Sequence, residues 1–473
     1  MKRFTIALLT AQCLAIGVAH AQQQAGVVTP QEGSAADRPP GPRIDSASFF
    51  ADYYSNGLPA NFNTQAAPLK SDVAYGGAVS MGWSHTGSKL TFNAEYTPSY
   101  TGRVRYSDLH AAGHNLLVYM NLQLSSKWNF NVNTTGIVAD LQRTMFASSQ
   151  SGAIASASST YTGLSSALVS GQTANPQLGG ILTSPVTNSP LAAVLYGNQY
   201  LTVGVFSGLT YTHSERFHFT IGGGGVRAQS LSQTVSTGIT APIPVTPRTT
   251  NLNVRVSASY GLTPRLTLTG DWNGNRLYQS HQGTAAYSNS FIQTGQGRLS
   301  YLAGTNWLFS VGAGLGILPT TNVITTTGAA QTGHGTRYLA DGSIAYKFYS
   351  QTIVARVSRS VTNSYGFGAA DMVMGDLGWN WRRPGSGWSV MVDAGYQDLS
   401  GTQALSTTLA AWRGTAMLTR MLGHRTAVSA NYALMRSTGV YSGINYGLTR
   451  GAAQVALIWF FRDQTGSTND SHF

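Results

Sequence analysis

The residues of this chain whose types could do chemistry are charged groups set singly among apolar ones. Lys89, Lys127, Arg216, Arg255, Arg298, Arg337, Lys347, Arg356, Arg413, Arg425 and Arg450 fall on the polar positions of alternating stretches, and Glu95, Asp271, Asp341, Asp376 and Asp393 share those positions. Lining a water-filled lumen, a set weighted towards bases would hold a positive potential and favour anions, because charged rings set selectivity in pores. The same groups could equally pair across strands and brace a wall, and the sequence leaves both readings open. Catalysis has less to stand on. His213, Ser214 and Glu215 are consecutive, but they fall at a predicted tight turn, and a hydrolytic serine needs a histidine that a third polar group holds in place. His110, His114 and His281 lack the spacing of metal ligands, and there is no nucleotide-binding loop. The bases are scattered and form no patch, which argues against nucleic acid. The reading is of a non-enzyme with no cofactor and no metal.

Such groups can face one way only if the elements beneath them alternate, and the stretch Thr250 to Asn275 shows that they do. Leu252, Val254, Val256, Ala258 and Tyr260 alternate with Asn253, Arg255, Ser257 and Ser259; then Leu266, Leu268, Gly270 and Trp272 alternate with Thr267, Thr269, Asp271 and Asn273. A period of two places apolar groups on one face of a strand and polar groups on the other. Gly261, Thr263 and Pro264 supply the turn. The arms are about ten residues long, enough to cross a bilayer as tilted strands.

The pattern repeats along the chain. After a weakly alternating first strand over Ile44 to Tyr54, hairpins are expected at 73–83 with 90–96, 116–124 with 128–132, 201–211 with 217–225, and 293–302 with 307–315. They continue at 338–348 with 353–361, 373–381 with 388–396, and 408–418 with 426–434, before a last strand over Thr449 to Phe461. The fold class this predicts is all-β: a closed antiparallel transmembrane barrel of about eighteen strands, sixteen as the lower bound, with short periplasmic turns and longer extracellular loops. Trp83, Trp128, Tyr260, Trp307, Trp381, Trp388 and Trp459 lie on the apolar face beside predicted turns or the chain end, where an aromatic girdle would sit. A secreted β-sandwich with the same apolar residues as its core is the competing architecture. It accounts poorly for so many hairpins of one length.

Composition agrees. Of 473 residues only 10% are charged and 42% are hydrophobic, against about 25% charged in an ordinary soluble domain. Lys2 and Arg3, an apolar run over Ile6 to Val18 and Ala19-His20-Ala21 read as a secretory signal over 1–21, which would carry away the sole cysteine, Cys13, and lower the formal charge of +12 by two. Residues 22–43 read as a flexible periplasmic leader, 44–461 as the barrel and 462–473 as a tail; 139–198 reads as one large loop.

At the last strand Ala453, Val455, Leu457, Trp459 and Phe461 alternate into a terminal aromatic pair. With the leader and the hairpin series, the chain resembles a porin-like outer-membrane β-barrel protein of Gram-negative bacteria over nearly its whole length. That resemblance implies a place in the outer membrane among lipid and lipopolysaccharide, with Trp459 and Phe461 as the closing-strand signal for the barrel-assembly machinery. It implies passive diffusion of small hydrophilic solutes past lumen-lining Lys89, Arg216, Arg255, Arg298, Arg337, Arg356, Arg413, Arg425, Glu95, Asp271, Asp341 and Asp393. Export of exopolysaccharide or surface adhesion through the 139–198 loop is the alternative, and a homo-oligomer is left open. Inward glycines, Gly222, Gly224, Gly312, Gly314 and Gly378, predict a roomy lumen.

Overall fold

A computed structural model of the chain describes residues 41–55, 71–105, 110–140, 199–231, 248–280, 287–318, 321–325, 328–332, 335–348, 350–364, 368–382, 387–401, 408–441 and 444–461. Their strands are β1 Gly41–Ser55, β2 Asp72–Thr86, β3 Leu90–Arg103, β4 Ala111–Gln123, β5 Trp128–Asp140, β6 Gln199–Thr212, β7 Phe217–Ser230, β8 Arg248–Thr263, β9 Leu266–Ser280, β10 Tyr287–Ala303, β11 Trp307–Leu318, β12 Thr321–Thr325, β13 Gly328–Thr332, β14 Gly335–Phe348, β15 Gln351–Ser364, β16 Gly368–Arg382, β17 Trp388–Gly401, β18 Thr408–Met421, β19 Thr426–Tyr441 and β20 Ile444–Phe460. Neighbours pair antiparallel. β12 and β13 form a small side hairpin, and β11 pairs directly with β14. The last strand closes on the first, from Ser46 opposite Phe460 to Ser55 opposite Gly451. The result is a closed barrel of 18 strands. Closure leaves no unpaired sheet edge, which lipid could not solvate.

Alternation decides which face meets lipid. On β8, Leu252 and Val254 are 47% and 48% exposed while Asn253 and Arg255 between them are half-buried. Val311, Leu315, Val357, Leu377, Val455 and Leu457 are likewise exposed. Apolar side chains face outward all round, so a soluble sandwich core is excluded. At the turn side Trp83, Trp128, Tyr260, Trp307 and Trp459 are exposed and Trp381 and Trp388 half-buried, with Trp128 4.6 Å from Tyr211 and Trp307 4.3 Å from Tyr346 between ring centroids. Outward Arg420 lies over Trp388 at 4.8 Å, a cation kept at the interface by an aromatic face. Tyr338, Tyr432 and Trp412 are exposed nearer the loop side, and Tyr396 packs 4.4 Å from Trp412.

The turns explain how the strands reverse. Ser125 Oγ accepts from the backbone N–H of Lys127 and Trp128 at 3.2 Å, and Ser214 Oγ does the same for Arg216 and Phe217 at 3.3 and 3.2 Å. Gly304 and Gly387 take positive φ of 66° and 67°, which costs glycine little. Pro98, which has no N–H to donate, coincides with a break in the β2–β3 ladder between Ala78↔Ser99 and Met81↔Tyr96.

Several expected boundaries move. β1 begins at Gly41, three residues before Ile44, and its aromatics alternate after all: Phe49 and Tyr53 face out, Phe50 and Tyr54 are buried within. β20 starts at Ile444 instead of Thr449, because its ladder with β19 runs up to Tyr441↔Ile444 although the sequence there does not alternate cleanly. The strands that make the wall are 12 to 17 residues long, longer than a bilayer crossing, because pairing continues past the apolar band. Connections on the loop side are not uniformly long, since β19 and β20 are joined by residues 442–443 alone. Residues 1–40, 141–198 and 462–473, and with them the signal, the rest of the leader and of the long loop, and the tail, lie outside the described residues, whereas residues 41–43 of the expected leader and 139–140 of the expected loop belong to β1 and β5.

Candidate functional site

The inner face between β8 and β18 carries a run of alternating charges. Arg255 on β8 reaches diagonally to Asp271 on β9, with Nη2 at 2.7 Å and Nε at 3.2 Å from Oδ1. Asn253 Nδ2 donates to Asn273 at 2.6 Å one step towards the loop side. Further round, Arg298 on β10 donates to Asp341 on β14, Nε to Oδ2 at 3.1 Å and Nη2 to Oδ1 at 3.3 Å, and Gln296 donates to the same carboxylate. Arg356 on β15 stands opposite Asp376 on β16. Asp376 in turn accepts from Arg413 on β18 at 2.9 Å, and Thr415 donates to buried Asp393 at 3.3 Å. Base and acid follow one another, so the field along this wall changes sign from strand to strand.

Two of these contacts skip a strand, and glycine makes that possible. Arg298, Gly312 and Asp341 stand in line on β10, β11 and β14. A Cβ at Gly312 would collide with the Asp341 carboxylate and come within 2.7 Å of Gln296 Nε2. Asp376, Gly395 and Arg413 repeat the arrangement on β16, β17 and β18, where a Cβ would lie 2.7 Å from Arg413 Nε and 2.8 Å from Asp376 Oδ1. The expectation that inward glycines enlarge the lumen is therefore corrected. Gly312 is filled by an ion pair, and Gly224 faces inward Phe206, whose Cδ1 would lie 2.6 Å from an added Cβ. Nothing in the sequence alone marks this, because it depends on register.

The other expected lumen residues divide. Glu95 faces inward and accepts from Ser80 Oγ at 3.3 Å. Arg337 has inward parity near the loop side and pairs with Asp371 at 3.3 Å. Lys89, Arg216 and Arg425 are not wall residues: they sit exposed in the turns 87–89, 213–216 and 422–425, one residue before β3, β7 and β19 begin, although their carbonyls still accept from the N–H of Gln123, Gly261 and Phe460. With Lys127 and Arg265, also exposed in turns, they put the excess of positive charge on the turn-side rim. Ser214 is occupied in capping its turn, and His213 Nδ1 lies 3.3 Å from Tyr211 OH. His114 Nδ1 lies 2.7 Å from Tyr96 OH on the outward face, and His281 is outside the described residues.

A second inner region is dry. Along β19, β20, β1 and β2, Ala427, Ser429, Ala456, Ile458, Phe460, Ser46, Ser48, Phe50, Ala78 and Ser80 face inward and are almost wholly buried. Phe50, Ala427, Ala456, Ile458 and Phe460 form one apolar cluster near the turn side. Asp52, within this arc, accepts from Gln454 Nε2 at 2.6 Å and Tyr54 OH at 3.1 Å. Apolar residues inside the barrel were not foreseen, since strict alternation assigns them to the lipid face.

Antiparallel closure, an even strand number, an apolar skin and a largely polar interior define the architecture. The chain is a closed antiparallel transmembrane β-barrel of 18 strands. No family model matches the chain, and no curated protein matches it either. Among solved structures it is similar to OccK1 (OpdK) of Pseudomonas aeruginosa, at 10% identity and TM-score 0.39 over 88% of this chain and 98% of that one. OccK2 (OpdF) of the same organism, in complex with glucuronate, gives 10%, 0.39, 89% and 98%. The siderophore receptor PirA, also from P. aeruginosa, gives 12%, 0.37, 90% and 81%.

Proposed function

We propose that the barrel is a channel for passive diffusion of small hydrophilic solutes across the outer membrane. The observation that carries this is the half-exposed inner face of β8 and β9, where Asn253, Arg255, Ser257, Asp271 and Asn273 keep access to solvent. A polar, hydrated strip inside an apolar shell is a path for solutes that lipid excludes. Wall bases are matched by acids, so a mild anion preference is assigned to the turn-side rim, where Lys89, Lys127, Arg216, Arg265 and Arg425 gather. The signal over 1–21 is proposed to be removed on export, and Trp459 with Phe461 to be what the assembly machinery reads; the Phe461 N–H donates to Asp45 O at 3.1 Å beside the closing seam.

Conductance of the refolded protein in a planar bilayer tests the reading. Discrete channels are expected, with a reversal potential shifted modestly towards anions in a dilute salt gradient. Neutralising Lys89, Arg216 and Arg425 together should abolish that shift. Absence of channels would remove the transport reading, and cation preference would remove the role of the rim. The export or adhesion alternative rests on the 139–198 loop, of which residues 141–198 lie outside the described residues.

A further inference from the structure

We infer that the loop-side mouth is narrowed by the wall itself: the far ends of β15 and β16 turn inward across the opening, and Asp371 holds them there. The functional consequence rests on the channel reading, whereas the geometry does not.

β14 and β15 pair from Phe348↔Gln351 only to Ala340↔Arg359. Beyond that point β14 continues to Gly335 against β11, and β15 continues with β16 to Ser364↔Gly368. Two strands that separate while each keeps its other neighbour must diverge in space. Val361 shows where β15 goes. By alternation from inward Arg356 and outward Val357, Val361 should face lipid. It is instead buried in one cluster with Ile292, Leu318 and Leu339, which face inward on β10, β11 and β14. Its Cγ2 lies 3.3 Å from where a Cβ on Gly316, another inward position of β11, would stand. β15 and β16 also touch β10 directly, although β11 and β14 separate them in the ladder. A hairpin end folded over the inner face of its neighbours satisfies all of these, and a hairpin standing in the wall satisfies none.

The hold is electrostatic as well as apolar. Asp371, opposite Val361, lies 3.3 Å from Arg337 on β14 and 3.7 Å from Arg359 on β15. One carboxylate thus bridges the strand that stays and the strand that leaves, at the point where they part. Arg359 also lies over Tyr338 at 4.0 Å, which anchors the root of the bend to the outer face. A segment fixed in this way reduces the open section at the mouth and sets the size of solute that enters.

The test uses the chain without its 1–21 signal, and so without Cys13, folded in lipid. Gly316→Cys with Val361→Cys should close a disulfide on mild oxidation, since Val361 Cγ2, a position that a cysteine sulfur can take, lies 3.3 Å from a Cβ on Gly316, within the reach of a bridge whose Cβ atoms stand about 3.5–4.5 Å apart; Gly316→Cys with Val357→Cys should not. Failure of the first pair to close in heat-modifiable, folded protein overturns the inward fold. Asp371→Asn, and separately Val361→Asp, should raise single-channel conductance about twofold if this mouth is the narrow section. Adding the closed disulfide to Asp371→Asn should cancel the increase. Unchanged conductance in both single variants, with the wild type conducting, overturns the narrowing. A disulfide that forms in a protein showing no channels would sink the channel reading and leave the inward fold standing.

Discussion

The seam of the barrel and the arc opposite it are built from the same kind of strand and have opposite interiors. At β19, β20, β1 and β2 the inward side chains towards the turn side are mostly small or apolar and nearly inaccessible, with Ile458, Phe50 and Phe460 at their centre, and the polar groups among them, such as Asp52 and Gln454, are buried and bonded to each other. At β8 and β9, apart from buried Leu277 towards the loop side, the inward side chains are amides, hydroxyls and an ion pair that keep partial access. The outer skin is alike in both places. What differs is which residues take the inward position, so one barrel wall can be dry along one arc and wet along another without a change of backbone. The dry arc is where the first and last strands must find each other across the whole chain, and apolar packing there adds stability to a closure that hydrogen bonds alone would leave to register.

The largest effect should come from putting a charge into the dry arc. Ile458→Asp places a carboxylate where no water reaches, at a cost of several kcal/mol, on the strand that closes the barrel. Heat-modifiable migration after refolding should show little folded barrel, whereas Asn253→Asp on the wet arc should fold with a change of about 1 kcal/mol or less. If both fold equally well, the two interiors are not different. The next effect is intermediate. Asp341→Asn leaves Arg298, whose side chain is 7% exposed, beside a neutral amide, and removing one member of a buried pair costs about 3–5 kcal/mol. Urea unfolding in vesicles should show that loss, and Arg298→Met with Asp341→Leu should recover most of it, because an apolar pair of similar volume avoids the uncompensated charge. A double variant as unstable as the single one would mean that the pair itself, and not its burial, supports the wall.

Much of the wall was legible in the sequence because lipid enforces a rule the sequence must obey outwardly: Leu252, Val254, Trp307 and Trp459 have to meet hydrocarbon or its boundary whatever lies inside. The strand number and the girdle followed from that face alone. The inward face is under no such rule. Phe50, Phe206, Ile292 and Ile458 are apolar and point in, which the period of two cannot distinguish from a slip of register. Lys89, Arg216 and Arg425 have inward parity yet stand in turns, since parity says nothing about where a strand stops. The pairing of Arg298 with Asp341 over Gly312, and of Arg413 with Asp376 over Gly395, joins residues far apart in the chain through the register of three strands. No local pattern carries that information. Val361 breaks the outward rule as well, and it does so where β15 leaves the wall.

The smallest effect on stability should be that of Asp271→Asn, the same chemical change as Asp341→Asn made on the wet arc. Arg255 and Asp271 have side chains 29% and 13% exposed, and water that reaches them screens their attraction, so the loss should be about 1 kcal/mol or less. The functional effect should run the other way. Removing a carboxylate from a hydrated strip leaves Arg255 facing the solute path, so the reversal potential should move towards anions at low salt. The shift should fade near 1 M salt, where the Debye length is about 3 Å. Asp341→Asn, on a stretch closed to water, should move it less in those channels that still form. The two substitutions therefore separate support from conduction: one should lower stability more than it alters ion preference, and the other should do the reverse. Equal losses of stability at both sites would mean that β8 and β9 are as dry as the wall around Arg298 and Asp341, and the strip would then offer no path for a solute.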